Sequence, residues 1–113
     1  MSDKKKLYLA LPYSDPDPET RRVRFKLANE MAAKLLEQGY NVFSPISHSH
    51  LVSLYMENSN DSDFWCDNSL EWLRVCDEMV VYRLPGWRES KGVKREISFA
   101  QELNIPVRYL GDE

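Results

Sequence analysis

The chain has 113 residues, of which 42% are hydrophobic and 29% are charged, and it includes three tryptophans and six tyrosines. These are the proportions of a globular protein rather than of a disordered chain, and the length predicts one domain, residues 1–113, around a single core of modest size. The net charge of −3 argues against a nucleic-acid partner, because a phosphate backbone requires a basic surface.

No apolar run reaches the length of a membrane span, and the N-terminus lacks the hydrophobic segment of a signal peptide. We therefore expect a soluble, cytoplasmic protein without a membrane partner. Cys66 and Cys76, which form no Cys-x-x-Cys motif, are expected to be reduced and structural. His48 and His50 resemble a metal-binding pair, but no cysteine or carboxylate is spaced to complete a site, so we expect no metal and no other cofactor.

Strand and helix signals alternate along the chain. Short β-branched and aromatic runs indicate strands, and apolar residues at spacings of three and four indicate helices. Asp17, Pro18 and Glu19 suit the start of the first helix, and Gly39 suits its end. The predicted strands are residues 7–11, 40–44, 79–84 and 105–110, and the predicted helices are residues 18–38, 63–75 and 93–104.

The remaining predictions concern the segment before the first strand, the region after the second strand and the buried face of the first helix. The lysines at residues 4–6 indicate a solvated leader before the first strand. Residues 46–60 give mixed signals, which indicate a short helix or an ordered loop, and residues 57–63 are the nearest approach to a linker. The apolar stripe of the first helix is predicted to consist of Val23, Leu27, Met31 and Leu35.

The alternation predicts a three-layer α/β fold of the flavodoxin or Rossmann type, with a parallel sheet of about four to five strands. The expected strand order is 2-1-3-4, which places the switch point between strands one and three. Ligands of such sheets bind beyond the carboxyl ends of the strands at that point. Two loops meet there, residues 12–14 and residues 85–92, so we expect a small anionic ligand between them.

The most site-like stretch is residues 84–96, which follow the third strand. A Pro-Gly break leads into a helix that is predicted to begin just after residues 90–92, where free backbone N–H groups and the helix dipole attract an anion. Ser90 adds a hydroxyl donor, Gly92 permits close approach of a ligand, and Glu96 borders the buried face of the helix. The same residues also fit an ordinary capped helix with a dipole-favourable acid, and the pattern alone leaves both interpretations open.

These residues, with Tyr8 in the first strand and the strand end at residues 42–45, resemble the nucleoside 2-deoxyribosyltransferase superfamily over nearly the whole chain. Within it the chain is most similar to small uncharacterised bacterial and phage proteins with a Leu-Pro-Gly-Trp loop. Relatives include deoxynucleoside 5′-monophosphate N-glycosidases and CMP N-glycosidases. The resemblance implies that Glu96 attacks the anomeric carbon of a sugar and that Tyr8 hydrogen-bonds this nucleophile, although Tyr8 also fits a packing role.

The family spacing of a serine, a glycine and the glutamate is matched by Ser90, Gly92 and Glu96. Ser90 implies a 5′-phosphate on the substrate, because deoxyribosyltransferases that act on unphosphorylated nucleosides carry an acid at this position. One position departs from the family, since Ser69 stands where an aspartate is expected to protonate the departing base. Asp67 lies two residues away and would face differently on a regular helix, which leaves catalysis open.

Several further residues are expected around the ligand. We place Pro12, Tyr13, Ser14 and Trp87 on the sugar and phosphate side, together with Ser90 and Gly92. The residues proposed for the base side are Ser44, His50, Trp65, Asp67 and Ser69.

The leading hypothesis is a nucleotide N-glycosidase that hydrolyses the base–sugar bond of a (deoxy)nucleoside 5′-monophosphate, with Glu96 as nucleophile. A carboxylate at the anomeric carbon stabilises the oxocarbenium-like sugar or forms a covalent adduct with it. The alternatives are a non-catalytic nucleotide-binding module, favoured by Ser69, and a nucleoside deoxyribosyltransferase, disfavoured by Ser90.

The expected partners are a small-molecule nucleotide or nucleoside and a second copy of the chain. A four-strand sheet is expected to leave apolar side chains around Tyr55, Met56 and Trp65 poorly covered, and such patches usually mark interfaces. The resemblance implies the same, because its members form dimers or larger assemblies. We therefore expect a homodimer or a higher homo-oligomer.

Overall fold

A computed structural model describes residues 4–57 and 62–111. Of the predicted linker, residues 58–61 lie outside the described residues. The elements within the described ranges are β1 (Lys6–Ala10), α1 (Pro18–Glu37), β2 (Asn41–Phe43), α2 (Pro45–Ser53), α3 (Ser62–Leu73), β3 (Glu78–Tyr82), α4 (Lys91–Glu102) and β4 (Val107–Leu110).

The four strands form one parallel sheet in the order β2-β1-β3-β4, so the predicted α/β class and strand order are confirmed. The central pair has β1 and β3 in register from Leu7 opposite Glu78 to Ala10 opposite Val81. Strands that return in the same direction require a helical crossover between them, and this requirement produces the alternating order of elements along the chain.

Alternate residues of β1 belong to two different cores, and these cores define the three layers. Leu7 and Leu9 pack in the cluster that contains α1 and the start of α2. Tyr8 and Ala10 pack in the cluster that contains α3 and α4. Because side chains alternate along a strand, a strand covered on both faces must be apolar throughout, as residues 7–11 are.

The two ends of α1 are fixed by Asp17 and Gly39, the residues from which these ends were predicted. The Asp17 carboxylate accepts a hydrogen bond from the Glu19 backbone N–H at 3.1 Å. At the other end Gly39 has φ +102°, which closes the helix through a bond from the Tyr40 N–H to the Leu35 carbonyl at 3.2 Å. Many helices end with a residue in the left-handed conformation, followed by a residue whose N–H bonds to the carbonyl five positions earlier. Glycine adopts the left-handed conformation without strain.

The apolar stripe of α1 differs from the predicted one. Ala28, Ala32 and Leu35 are buried, whereas Val23 is 42% exposed. The first turns of α1 lie against the loop after β3, where the Arg24 guanidinium donates to the Pro85 carbonyl at 3.3 Å. Val23 lines a groove beside Leu84 and Pro85 of this loop.

The mixed signals of residues 46–60 resolve partly into a helix, α2, with Pro45 at its first position. The other predicted boundaries differ from the observed ones by at most two residues. The largest effect on the site is at α4, which begins at Lys91 rather than after Gly92, because Ser90 already caps it. The helix also ends before the predicted Asn104, which has φ +59° and leaves the helical region.

Within the described part of the chain, no helix has both the length and the apolar character needed to cross a bilayer.

Candidate active site

Glu96 lies on the buried face of α4 and is only 9% exposed. Its Oε2 accepts a short hydrogen bond from the hydroxyl of Tyr8, which is fully buried on β1. The sequence pattern placed Glu96 at the margin of the buried face, and the structure places it within that face. A carboxyl group in such a position is expensive to ionise unless its surroundings stabilise the charge.

Burial raises the pKa of Glu96 to about 7, and the hydrogen bond from Tyr8 acts in the opposite direction. Burial also raises the pKa of Tyr8 well above its usual value, with a further contribution from the Glu96 charge, whereas a hydrogen bond with the Ser69 side chain lowers it. Tyr8 therefore keeps its proton near neutral pH and remains a donor to the carboxylate. A carboxyl with a pKa near neutrality beside a cavity is typical of a functional site.

Glu96 faces a cavity of about 110 Å³ at the carboxyl edge of the sheet. Its walls come from the loop after β1, the first turns of α2, one face of α3 and the start of α4. This is the predicted switch point, where the β1 and β3 loops meet. The lining residues are Leu11, Tyr13, Pro45, Ile46, Ser49, Trp65, Cys66, Ser69, Ser90, Gly92 and Glu96.

The N-terminus of α4 opens into this cavity through Ser90 and Gly92. The Ser90 hydroxyl oxygen accepts a hydrogen bond from the Val93 N–H at 3.2 Å, which leaves its own O–H proton available to a ligand. At Gly92 a Cβ atom would meet only the Ser90 hydroxyl oxygen, at 3.9 Å. The first turn of α4 therefore offers backbone donors, a hydroxyl and open space together, as an anion site requires.

Four of the other predicted residues are brought to the cavity or next to it. Tyr13, Trp65 and Ser69 line it directly. His50 does not line the cavity, but it contacts the lining residue Tyr13, with its Nδ1 2.6 Å from the Tyr13 hydroxyl.

Besides His50, two predicted base-side residues do not line the cavity. Asp67 is exposed, and its carboxylate lies 3.6 Å from the Arg95 guanidinium. Ser44 is buried, with its hydroxyl 2.7 Å from that of Ser47. Residues 67 and 69 point in different directions on a helix, which is why Asp67 is exposed while Ser69 lines the cavity, as the sequence indicated.

Three residues predicted for the phosphate and sugar side also lie outside the cavity lining. Pro12 is fully buried in the protein, and Ser14 is exposed. Trp87 lines a separate groove of about 600 Å³, formed by residues 82–89 and Gly111, which shares no lining residue with the Glu96 cavity. A turn closed by the Trp87 N–H to the Leu84 carbonyl at 3.0 Å brings the indole against Tyr109 on β4.

The sequence pattern did not name the apolar part of the lining by residue. Pro45 and Ile46 come two and three residues after the end of β2, so the rule that ligands bind beyond the carboxyl ends of strands would have indicated them. Cys66 precedes Ser69 by three residues on α3, and this helical spacing was the available signal for Cys66. Leu11 and Ser49 complete the set.

The described ranges contain no cluster of three or more His, Cys, Asp or Glu residues that is arranged to hold a metal ion. Cys66 and Cys76 are both free thiols, and burial raises the pKa of Cys76 to about 11.

The buried carboxyl generates a stability prediction. Between the usual pKa of 4.5 and the folded value of about 7, the unfolded chain releases the Glu96 proton before the folded one does, so rising pH destabilises the fold. We expect Glu96→Gln to become more stable relative to the wild type by about 2 to 3 kcal/mol between pH 5 and pH 8. Urea unfolding of both proteins at the two pH values measures this change. Glu102→Gln, at an exposed position of the same helix, is the matched control, and an equal response from both variants would contradict the assignment.

Comparison with known proteins agrees with the fold. The family described as "Domain of unknown function (DUF1937)" matches residues 5–111. No curated protein sequence matches the chain. Among solved structures, the 2-deoxyribosyltransferase from the psychrotolerant bacterium Bacillus psychrosaccharolyticus superposes with a TM-score of 0.61 at 22% identity, over 92% of this chain and 70% of that one. The chain therefore belongs to the DUF1937 family and has a nucleoside 2-deoxyribosyltransferase-like fold.

Proposed function

We propose that this protein hydrolyses the N-glycosidic bond of a nucleoside 5′-monophosphate and that Glu96 is the nucleophile. The observation that carries the proposal is the buried Glu96 carboxyl, which faces a cavity also lined by the N-terminal turn of α4. The similarity in fold to a protein named as a 2-deoxyribosyltransferase supports a sugar–base bond as the target. Ser90 favours a phosphorylated substrate over a free nucleoside.

The dimensions of the site suit a sugar phosphate. The cavity of about 110 Å³ is smaller than the 300 to 1,000 Å³ or so that is typical of whole-ligand pockets, so we assign it to the sugar. The phosphate would bind at Ser90 and Gly92, and about 7.5 Å of helix axis separates Lys91 from Glu96. The base would then lie towards Tyr13 and towards Trp65, whose indole provides a stacking surface.

The proposed chemistry follows from the two residues on the sugar side. The ionised Glu96 stabilises positive charge at the anomeric carbon and forms a glycosyl ester as the C–N bond breaks. The Tyr8 hydroxyl orients the attacking carboxylate, because its O–H is donated to Oε2. Water then hydrolyses the ester. Phosphate binding at α4 holds the sugar over Glu96, so that remote binding energy contributes to the reaction.

Glu96→Gln should abolish base release, because an amide cannot form the ester. The loss should be about 1,000-fold or more, since the variant loses a covalent pathway rather than one hydrogen bond. In the wild type, kcat/KM should depend on pH through the ionisation of Glu96, whose pKa is about 7. Free base is followed by chromatography with dAMP, dCMP, dGMP, dTMP and the corresponding nucleosides and ribonucleotides.

Two outcomes would contradict this proposal. Base release by Glu96→Gln at the wild-type rate would remove Glu96 as the nucleophile. Tight binding of a nucleotide by the wild type, without base release from any member of the panel, would favour a binding module. Addition of a second free base separates hydrolysis from transfer, because a transferase forms the exchanged nucleoside or nucleotide.

The preference for phosphate is tested at Ser90 with two variants that both preserve a helix N-cap. Ser90→Asp brings a negative charge to the anion site and should lower kcat/KM for nucleotides by about tenfold or more relative to nucleosides. Ser90→Asn is the neutral control, and we expect it to retain the preference. Equal effects of the two variants on nucleotides would place the phosphate elsewhere.

We also propose that the protein self-associates through exposed apolar side chains of residues 51–55 and Phe64. Tyr55 is 91% exposed and Leu54 is 71% exposed, and Leu51 and Phe64 are exposed nearby in sequence on α2 and α3. The predicted patch is thus exposed at Tyr55, whereas Met56 and Trp65 are half-buried. We expect a dimer or larger assembly by light scattering at micromolar protein, and dissociation in a Leu54→Ser, Tyr55→Ser variant. A wild-type monomer mass would count against this proposal.

A further inference from the structure

Tyr13 approaches the Glu96 cavity from the loop after β1. Its side chain lines the cavity together with Glu96, and its hydroxyl oxygen lies 2.6 Å from Nδ1 of His50 on α2. This is a short, strong contact between a phenol and an imidazole, and either group can be the donor. A proton can therefore pass between the two side chains without a change of position.

The imidazole of His50 is held by rings on two sides. Phe25 of α1 stacks on it with 4.1 Å between ring centroids, and the Tyr13 ring meets it edge-on with 5.8 Å between centroids. Packing of this kind fixes the direction of Nδ1 towards the tyrosine. The other histidine of α2, His48, instead packs towards Phe43.

A departing base needs a proton, and the cavity contains few groups that can supply one. Glu96 is occupied as the nucleophile in the proposed reaction, and serine hydroxyls are very weak acids. Cys66 also lines the cavity, and because burial raises the pKa of its thiol and that of the Tyr13 hydroxyl alike, the pKa does not choose between them. Among the described lining residues, Tyr13 is the one hydrogen-bonded to an imidazole, the side chain that ordinarily exchanges protons near neutral pH.

We propose that Tyr13 is the general acid that protonates the departing base, and that His50 is the positioning residue that returns a proton to Tyr13. This inference rests on the proposed function and names the acid of the same site. It also gives a role to the second hydrogen-bonded pair at the cavity, Tyr13 and His50, in addition to the Tyr8 and Glu96 pair.

The first step replaces the C–N bond of the substrate with a bond to Glu96 and moves two protons. A Glu96 carboxylate oxygen forms a bond to the anomeric carbon, and the C–N bond breaks with its electron pair on the base. The base takes the proton of the Tyr13 hydroxyl while that oxygen takes the proton of His50 Nδ1. His50 is left neutral and regains a proton from solvent, to which its half-buried side chain has access.

The surroundings of Tyr13 and His50 determine the pH at which each of them loses its proton. Burial raises the pKa of Tyr13, and the Arg21 charge opposes that shift. Burial lowers the pKa of His50, and Arg21 lowers it further. The titratable or charged groups that face His50 in the described ranges are Tyr13 from the β1 loop and Arg21 from α1. His50 therefore loses its proton as pH rises through a value below 6.5, whereas Glu96 ionises near pH 7.

The pH profile should therefore be bell-shaped, with its maximum between the two pKa values. The active form carries an ionised Glu96 and a protonated His50, and it is a minor fraction at every pH because the pKa of His50 lies below that of Glu96. Removal of the imidazole should eliminate the fall above the maximum, because the proton of Tyr13 itself is retained to much higher pH.

The decisive experiment compares two leaving groups on one sugar phosphate. One substrate is whichever deoxynucleoside 5′-monophosphate of the panel the wild type cleaves, and the other is 4-nitrophenyl 2-deoxyriboside 5-phosphate, whose nitrophenolate departs without a proton. We expect Tyr13→Phe to lower kcat about 100-fold or more for the nucleotide and less than about threefold for the nitrophenyl compound. Glu96→Gln should abolish both reactions.

His50→Asn provides the second arm, with His48→Asn as the matched control on the same helix. We expect His50→Asn to lower kcat for the nucleotide about tenfold or more, to lose the high-pH limb and to leave nitrophenol release nearly unchanged. His48→Asn should retain wild-type kcat and pH profile. Thermal unfolding of every variant identifies any loss of rate caused by unfolding.

The outcomes separate this inference from the proposed function. Equal losses of both leaving groups in Tyr13→Phe, or no loss of either, would overturn the assignment of the acid while base release and its dependence on Glu96 stand. A wild type that releases neither a base nor nitrophenol would overturn the proposed function and this inference with it.

Discussion

The site depends on one interaction, the hydrogen bond between the Tyr8 hydroxyl on β1 and the Glu96 carboxylate on α4. It joins the central strand to the last helix across the core that also contains Leu73, Met79 and Val93. An acid buried in such a core is tolerable only if it is neutral or receives a donor. The apolar layer that stabilises the fold is thus the same layer that raises the pKa of Glu96 to about 7.

This arrangement explains how a fold of this size holds a buried carboxyl in place. Tyr8 is in the middle of the most extensively paired part of the sheet, between β2 and β3. Glu96 is on a helix whose start is fixed by the Ser90 cap and whose adjacent turns bury Val93 and Ala100. Neither side chain is carried by a loop, so both are positioned by regular backbone hydrogen bonds. The proposed acid, in contrast, is in the loop after β1 and depends on the rings around His50 for its orientation.

Much of this structure was predictable from local chemistry. Buried parallel strands are recognisable because both faces must be apolar, and the ends of α1 because Asp17 and Gly39 have special backbone roles. Tyr8 and Glu96 were identified through their resemblance to a family, and the structure brings them together. Trp87 lies outside the lining of the Glu96 cavity, because its orientation depends on the turn after β3 and on a long-range contact with Tyr109. The contact between Tyr13 and His50 joins residues 37 positions apart, and no local pattern encodes such a pairing.

The space at Gly92 has a consequence for how this sequence can change over time. An alanine methyl group there would meet the Ser90 hydroxyl oxygen at 3.9 Å, an ordinary van der Waals distance, and the backbone does not require a glycine. Folding therefore exerts little selection on this position, and any pressure to keep it small comes from what occupies the cavity. Variation at residue 92 among natural sequences would thus indicate changes in the bound ligand rather than changes in the fold.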